Sequence, residues 1–287
     1  MIDSQRSATP HHRDAETRTV DVDGTPFVYR DFGPRTGTPV IFLNHLAAVL
    51  DNWDPRVVDG IAAKHRVITF DNRGVGASAG KTPSSIAAMA KDAVAFIRAL
   101  GFDQVDLHGF SMGGFVAQVI AEQEPQLVRR MILTGTGPAG GRGIDQVTKL
   151  TFADMTRGAL TFRDAKYYLF FTKTSNGRSQ ARAFLARLKE RTDNRDKAIA
   201  VPSFRAHLKA IHAWGLQEPS DLSGIHHPVL VANGDDDRMV PTSNSADLAR
   251  RLPNAQLKIY PDAGHGGIFQ HHDEFVRDAL AFLANGH

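Results

Sequence analysis

The chain has 287 residues, enough for one large α/β domain or two small ones. Its 42% apolar and 23% charged residues are those of a globular protein, and a net charge of +3 is too small to argue for a nucleic-acid partner. No run approaches the roughly 18 apolar residues of a membrane span. The absence of cysteine excludes disulfides, thiolate metal sites and a cysteine nucleophile, and leans the expected compartment toward the cytoplasm.

Residues 1–18 are polar, carry Asp3, Asp14 and Glu16, and lack an apolar middle. They read as a disordered tail and not as a signal or transit peptide. Residues 19–23 and 26–31 alternate around Asp23-Gly24, a hairpin signal, so the chain opens with an antiparallel pair. Residues 39–44 are a continuous apolar run of the kind buried on both faces of a sheet, residues 66–71 read as the next buried strand, and a helix is expected near residues 56–64 between them. Residues 84–100 place Ile86, Met89, Ala90, Ala93 and Ile97 on one helical face, with Gly101 as the stop. A strand ending at His108, a helix over residues 115–124 and a strand over residues 130–134 follow.

This alternation predicts a mostly parallel, doubly wound sheet. It breaks at Gly135, where helical patterns take over, and resumes with a strand at 228–232, a helix at 243–252, a strand at 255–260 and a helix at 273–283. Residues 139–218 are therefore expected to be a helical insertion over the carboxyl edge of the strands, within a single domain made of residues 19–138 and 219–287.

Three short stretches carry the chemistry. Gly109-Phe110-Ser111-Met112-Gly113 joins a strand to a helix with a serine at the apex. A serine hydroxyl attacks only when a base can reach it, and such a turn lifts it clear of the sheet, while the first N–H groups of the following helix point to where an oxyanion would form. The strand at 228–232 leads into Asn233-Gly-Asp-Asp-Asp-Arg238, and the strand at 255–260 into Pro261-Asp-Ala-Gly-His265-Gly266. Each puts an acid or a histidine just past the carboxyl end of a strand, where open α/β sheets build their sites. The acid could be Asp235, Asp236 or Asp237; the loop after the strand at 130–134 offers no carboxylate before Asp145.

Serine, acid and histidine in that order make the chain resemble the α/β-hydrolases, from about residue 19 to 283. It is closest in style to small capped esterases and to cofactor-free haloperoxidases or perhydrolases. The resemblance implies an α/β-hydrolase fold with Ser111 as nucleophile, His265 as base and Asp237, by the family's spacing, as the acid that orients it. It also implies an oxyanion hole made by the backbone N–H groups of Met112 and Leu46. Here the chain departs from the common His-Gly-apolar pattern, since Asn44-His45-Leu46 stands in its place. A serine nucleophile separates it from the dehalogenases and epoxide hydrolases of the superfamily, which use an aspartate.

The expected activity is hydrolysis of a small carboxylic ester or lactone through an acyl-enzyme, with no cofactor, no metal and no nucleic-acid or membrane partner. Carbon–carbon bond hydrolysis and peracid formation are the alternatives within the enzyme class, and a non-catalytic ligand receptor is the alternative outside it. His45 and His108 read as structural, and Asp71-Asn-Arg-Gly-Val-Gly-Ala-Ser78 as a tight loop, since it lacks dinucleotide spacing. Phe162, Tyr167, Tyr168, Phe170 and Phe171 should mainly pack the insertion onto the core, some of them lining a pocket. Residues 157–209 carry a charge of +9, read mainly as a solvated face, with the sharper possibility that it steers anionic substrates.

Overall fold

The computed structural model describes residues 11–284. In chain order the elements are β1 (Arg18–Val22), β2 (Thr25–Phe32), β3 (Val40–Leu43), α1 (Pro55–Ala62), β4 (Val67–Phe70), α2 (Ile86–Ala99), β5 (Val105–Phe110), α3 (Met112–Gln123) and β6 (Val128–Thr134). Then come α4 (Val147–Thr161), α5 (Lys166–Leu169), α6 (Ser175–Arg187), α7 (Val201–Gly215), β7 (Val229–Gly234), α8 (Ser243–Arg251), β8 (Ala255–Tyr260), α9 (Gly267–Gln270) and α10 (His272–Ala284). No helix among the described residues is long and apolar enough to cross a membrane.

The strands form one sheet in the order β1-β2-β4-β3-β5-β6-β7-β8. β2 runs antiparallel to both β1 and β4, and every other pair is parallel. The expected strands become the fully buried β3, β4 and β5, because a central strand covered by helices on both faces has no solvent side. Each of Val40, Ile41, Phe42 and Leu43, withdrawn from water, contributes about 1.5–3 kcal/mol. β8 at the sheet edge is half exposed and carries Gln256 and Lys258.

Helix signals act where the sequence puts them. Asp54 caps α1 by accepting the Arg56 N–H, with Pro55 in the first turn; Ser85 caps α2, and Gly101, in the left-handed region at φ +79°, closes it. From β3 the chain winds to one side through β4, and from β5 to the other through β6. The carboxyl ends of β3 and β5 therefore flank the crevice where doubly wound sheets place ligands.

One expectation is corrected. Residues 1–10 of the expected tail lie outside the described residues, but residues 11–17 pack against the domain. His12 and Ala15 are buried, the His12 N–H donates to Asp59, and one Arg191 nitrogen donates to the carbonyls of His12, Arg13 and Ala15. A donor supplied nearly 180 residues away in sequence holds a segment that its polar composition alone would leave loose.

Candidate active site

Ser111 follows β5 directly, at φ +56° and ψ −117°. A non-glycine residue there costs on the order of 1–3 kcal/mol and persists only when its surroundings fix it. Here the Ser111 N–H donates to Thr134 O (2.8 Å), while the Ser111 carbonyl accepts from Thr136 Oγ1 (2.8 Å) and from the Gly114 N–H (2.9 Å). The turn tolerates no side chain at its flanks: a Cβ on Gly109 would lie 2.5 Å from Gly113 O, and one on Gly113 would overlap the Leu43 carbonyl. The helix begins at Met112, three residues before its expected start, because both following glycines are helical and are needed for close packing, not for flexibility.

Of the three consecutive aspartates, Asp237 alone reaches His265, with Oδ2 2.8 Å from Nδ1. Its Oδ1 accepts the N–H groups of Met239 (2.8 Å) and Val240 (3.0 Å), so the buried carboxylate spends each oxygen on a donor. A carboxylate can only accept, so Nδ1 carries the proton and Nε2 is left with a lone pair. Asp235 turns the other way, and its two oxygens accept the N–H groups of Asp262 and Ala263 at 3.0 Å, tying the acid loop to the histidine loop. Asp236 is exposed, and only its backbone joins this seam, donating to Ala263 O. Thr242 Oγ1 supports the turn from the other side, donating to Gly234 O and accepting the Asp237 N–H.

The His265 imidazole is buried between the rings of Phe110 and Phe170, with centroids at 4.9 and 5.4 Å, and the Gly266 N–H donates to Phe170 O (2.7 Å). Ser111, His265 and Leu46 line one cavity of about 330 Å³, whose remaining wall is mostly apolar and comes largely from the insertion, including Met155, Leu169 and Phe204. Met112 is the first residue of α3, where a helix supplies its own N–H groups with no acceptor.

The corner at Leu46 is built without the usual glycine. His45 Nδ1 lies 2.9 Å from the Leu46 carbonyl and donates to it, and the Ala47 N–H donates to Nδ1 of His207 on α7 at 3.3 Å. The strain falls on Ala47, at φ +62°. Burial pushes His45 down to about 3 and His207 down to about 4, so both rings are neutral. His108, buried with Nε2 3.2 Å from Thr134 Oγ1, is likewise pushed down to about 3 by desolvation, and it does not line the cavity.

The sequence reading missed His207. Its signal was present: Ser203, His207, Ile211 and Trp214 share the buried face of α7. The reading of the basic segment as mainly solvated needs correction at two residues. Arg187 donates to the buried Asp54 and to Phe269 O, and Arg191 is itself buried, so both anchor the insertion to the core. Phe162 also departs from expectation, since it is fully solvent-facing at 99% exposure, whereas Tyr167, Phe170 and Phe171 are buried. A second buried junction joins Asp71, after β4, to Asp196 of the insertion. Burial, followed by the hydrogen bond with Asp196 and its charge, raises Asp71 well above the ordinary carboxylate range. Among the described residues no group of three or more His, Asp or Glu is arranged to hold a metal ion.

A family model described as the alpha/beta hydrolase fold matches residues 38–272. The chain is 31% identical over 274 residues to a non-heme chloroperoxidase of Streptomyces lividans, covering 91% of this chain and 97% of that one. Among solved structures, an alpha/beta hydrolase fold protein from Chitinophaga pinensis superposes with a TM-score of 0.92 at 38% identity, covering 96% of this chain and all of the other. Est816, described as an N-acyl homoserine lactone degrading enzyme, superposes with a TM-score of 0.72 at 26% identity, covering 92% of this chain and all of the other.

Proposed function

We propose, for a chain that belongs to the α/β-hydrolase family, that it is a serine hydrolase cleaving a small carboxylic ester or lactone through an acyl-enzyme. The observation that carries this reading is the 2.8 Å contact of His265 Nδ1 with Asp237, in a ring that shares its cavity with the strained Ser111. Ser111 Oγ attacks the substrate carbonyl as His265 Nε2 takes its proton. The Met112 and Leu46 N–H groups stabilise the oxyanion. Collapse expels the alcohol, which receives the proton from His265, and water then repeats the sequence on the acyl-serine. Asp237 holds the ring in the Nδ1–H tautomer, and the helical insertion serves as a cap that keeps the cavity mostly apolar. The lactone-degrading activity in the description of Est816 supports an internal ester as substrate.

Labelling with a fluorophosphonate tests the assignment. The probe should modify Ser111 alone, and Ser111→Ala should fold normally while losing at least about three orders of magnitude in kcat on an ester and lactone panel. Label elsewhere, or none, overturns it. The chloroperoxidase name of the Streptomyces lividans relative favours a second reading on the same residues, in which hydrogen peroxide replaces water and releases a peracid from the acyl-serine. Peracid formed from acetate and peroxide by wild type, and not by Ser111→Ala, would identify that activity.

A further inference from the structure

A second concavity, of about 530 Å³, opens on the insertion and shares Asp164 and Lys166 with the wall of the cavity that holds Ser111. Five cations line it: Arg163, Lys166, Arg182, Lys189 and Arg195. They come from the turn after α4, from α5, from α6 and from the segment beyond α6, so no single helical stripe gathers them. Asp164 is the one carboxylate in the lining, and its partner is Lys166 at 3.3 Å.

Elsewhere the fold neutralises its guanidiniums closely, as in Arg30 with Asp51, Arg66 with Asp31, Arg73 with Asp92 and Arg238 with Asp154. Within the groove Arg195 lies 3.7 Å from Asp51, whereas among the described residues Arg182 and Lys189 have no such partner. The Arg163 guanidinium lies over the Tyr167 ring (4.4 Å), and the buried hydroxyl of Tyr167, which also lines the concavity, has no hydrogen-bond partner among the described residues. A groove this positive, with a single carboxylate in its lining, is suited to an anion.

We propose that this groove is an anion subsite of the hydrolase, receiving a carboxylate or phosphate carried on the substrate arm that passes Lys166 while the ester or lactone carbonyl sits at Ser111. The proposal rests on the serine-hydrolase reading and makes the preferred substrate an anionic ester or lactone. Arg182 and Lys189 would contact the anion directly, and Lys166 would mark the passage between the two spaces.

The test compares p-nitrophenyl esters of straight-chain acids with those of dicarboxylic acids of two to six methylenes, in wild type and in Arg182→Gln/Lys189→Gln. Both positions are on the surface, so folding should be intact. For at least one chain length, the ratio of kcat/KM for the anionic ester to that for the neutral ester should fall about tenfold in the variant, through KM. Calorimetric titration of Ser111→Ala with glutarate and with inorganic phosphate supplies a readout independent of turnover. Saturable binding of one of them, lost when Arg182 and Lys189 are also changed, supports the subsite and tells carboxylate from phosphate. If no ester is cleaved but such binding is seen, the hydrolase reading fails and the anion site stands. An unchanged ratio at every chain length, with binding of neither anion, overturns the proposal.

Discussion

His207 of the insertion accepts the N–H of Ala47, in the loop after β3, at 3.3 Å. With His45 donating to the Leu46 carbonyl, the peptide between Leu46 and Ala47 is held at both polar ends, by one ring from the core and one from the insertion. That peptide adjoins the proposed Leu46 oxyanion donor, so the insertion reaches the chemistry through a hydrogen bond as well as by walling the cavity.

His207→Phe should therefore lower kcat by about tenfold with little change in KM, less than the 10²–10³ lost when an oxyanion donor is removed outright. His207→Asn, whose side-chain oxygen can accept the same N–H, should recover part of the loss. The rate of fluorophosphonate labelling should follow kcat through the series. Normal turnover in His207→Phe would reduce this residue to packing.

The three aspartates after β7 should separate cleanly. Asp237→Asn should cost about 10⁴ in kcat, since the imidazole is then free to take the wrong tautomer, the effect of this substitution in serine proteases. Asp236→Asn should be silent, because only its backbone is engaged. Asp235→Asn keeps one of two acceptor oxygens for the Asp262 and Ala263 N–H groups, so a loss of about threefold to tenfold is expected, together with a lower melting temperature. Steady-state kinetics on all three, with thermal melts, checks the order.

Acid should unfold the protein steeply. Desolvation lowers His12 and His207 to about 4 and His45 and His108 to about 3, whereas in the unfolded chain each binds a proton near its ordinary value of about 6.5. The unfolded state then binds more protons between those limits, so this contribution is complete above about pH 7 and is lost as pH falls toward 4. With all four histidines acting, the slope is roughly 5 kcal/mol per pH unit. Urea unfolding at several values between pH 7.5 and 4.5 measures it, and His108→Asn should flatten the curve by about one proton.

Much of this architecture was legible in local sequence. Residues 39–44 and 66–71 read as buried strands, and Gly109 and Gly113 announced a turn that admits no side chain. The acid could be narrowed from the residues only to three neighbours; the family's spacing pointed to Asp237, and a fold in which Asp235 faces the histidine loop's backbone shows why just one of them meets His265. What escaped depends on partners distant in sequence. Nothing near His12 foretells Arg191, and nothing near Ala47 foretells His207. Phe162 went astray for the opposite reason: an aromatic residue in an aromatic cluster looks buried unless its own backbone, here left-handed at φ +55° closing α4, turns it out to solvent.

The Asp71–Asp196 junction should act in the opposite sense to the histidines. Two carboxyls meet where the Leu50 N–H donates to Asp71 Oδ1 (2.9 Å) and lies 3.3 Å from Asp196 Oδ2, while the Asp196 N–H donates to Asp51. Arg30, Arg191 and Arg195 approach Asp51 and not Asp71, so the close approach of the Asp71 and Asp196 carboxyls favours a proton on Asp71. Because burial and Asp196 raise Asp71, the unfolded chain loses its proton first as pH rises. The stabilisation is complete below the ordinary carboxylate value of about 3.9 and is lost as pH climbs through the raised folded value. Asp196→Asn places a permanent amide donor beside Asp71, so at alkaline pH the variant should melt above wild type, with the gap closing as pH falls through the raised Asp71 value. Ile199 and Val201, just beyond Asp196, line the Ser111 cavity, and KM for a neutral ester should lose pH dependence in the variant if the junction also sets the position of that wall. A variant less stable than wild type at alkaline pH, or a gap that does not vary with pH, would show that Asp196 does not raise Asp71.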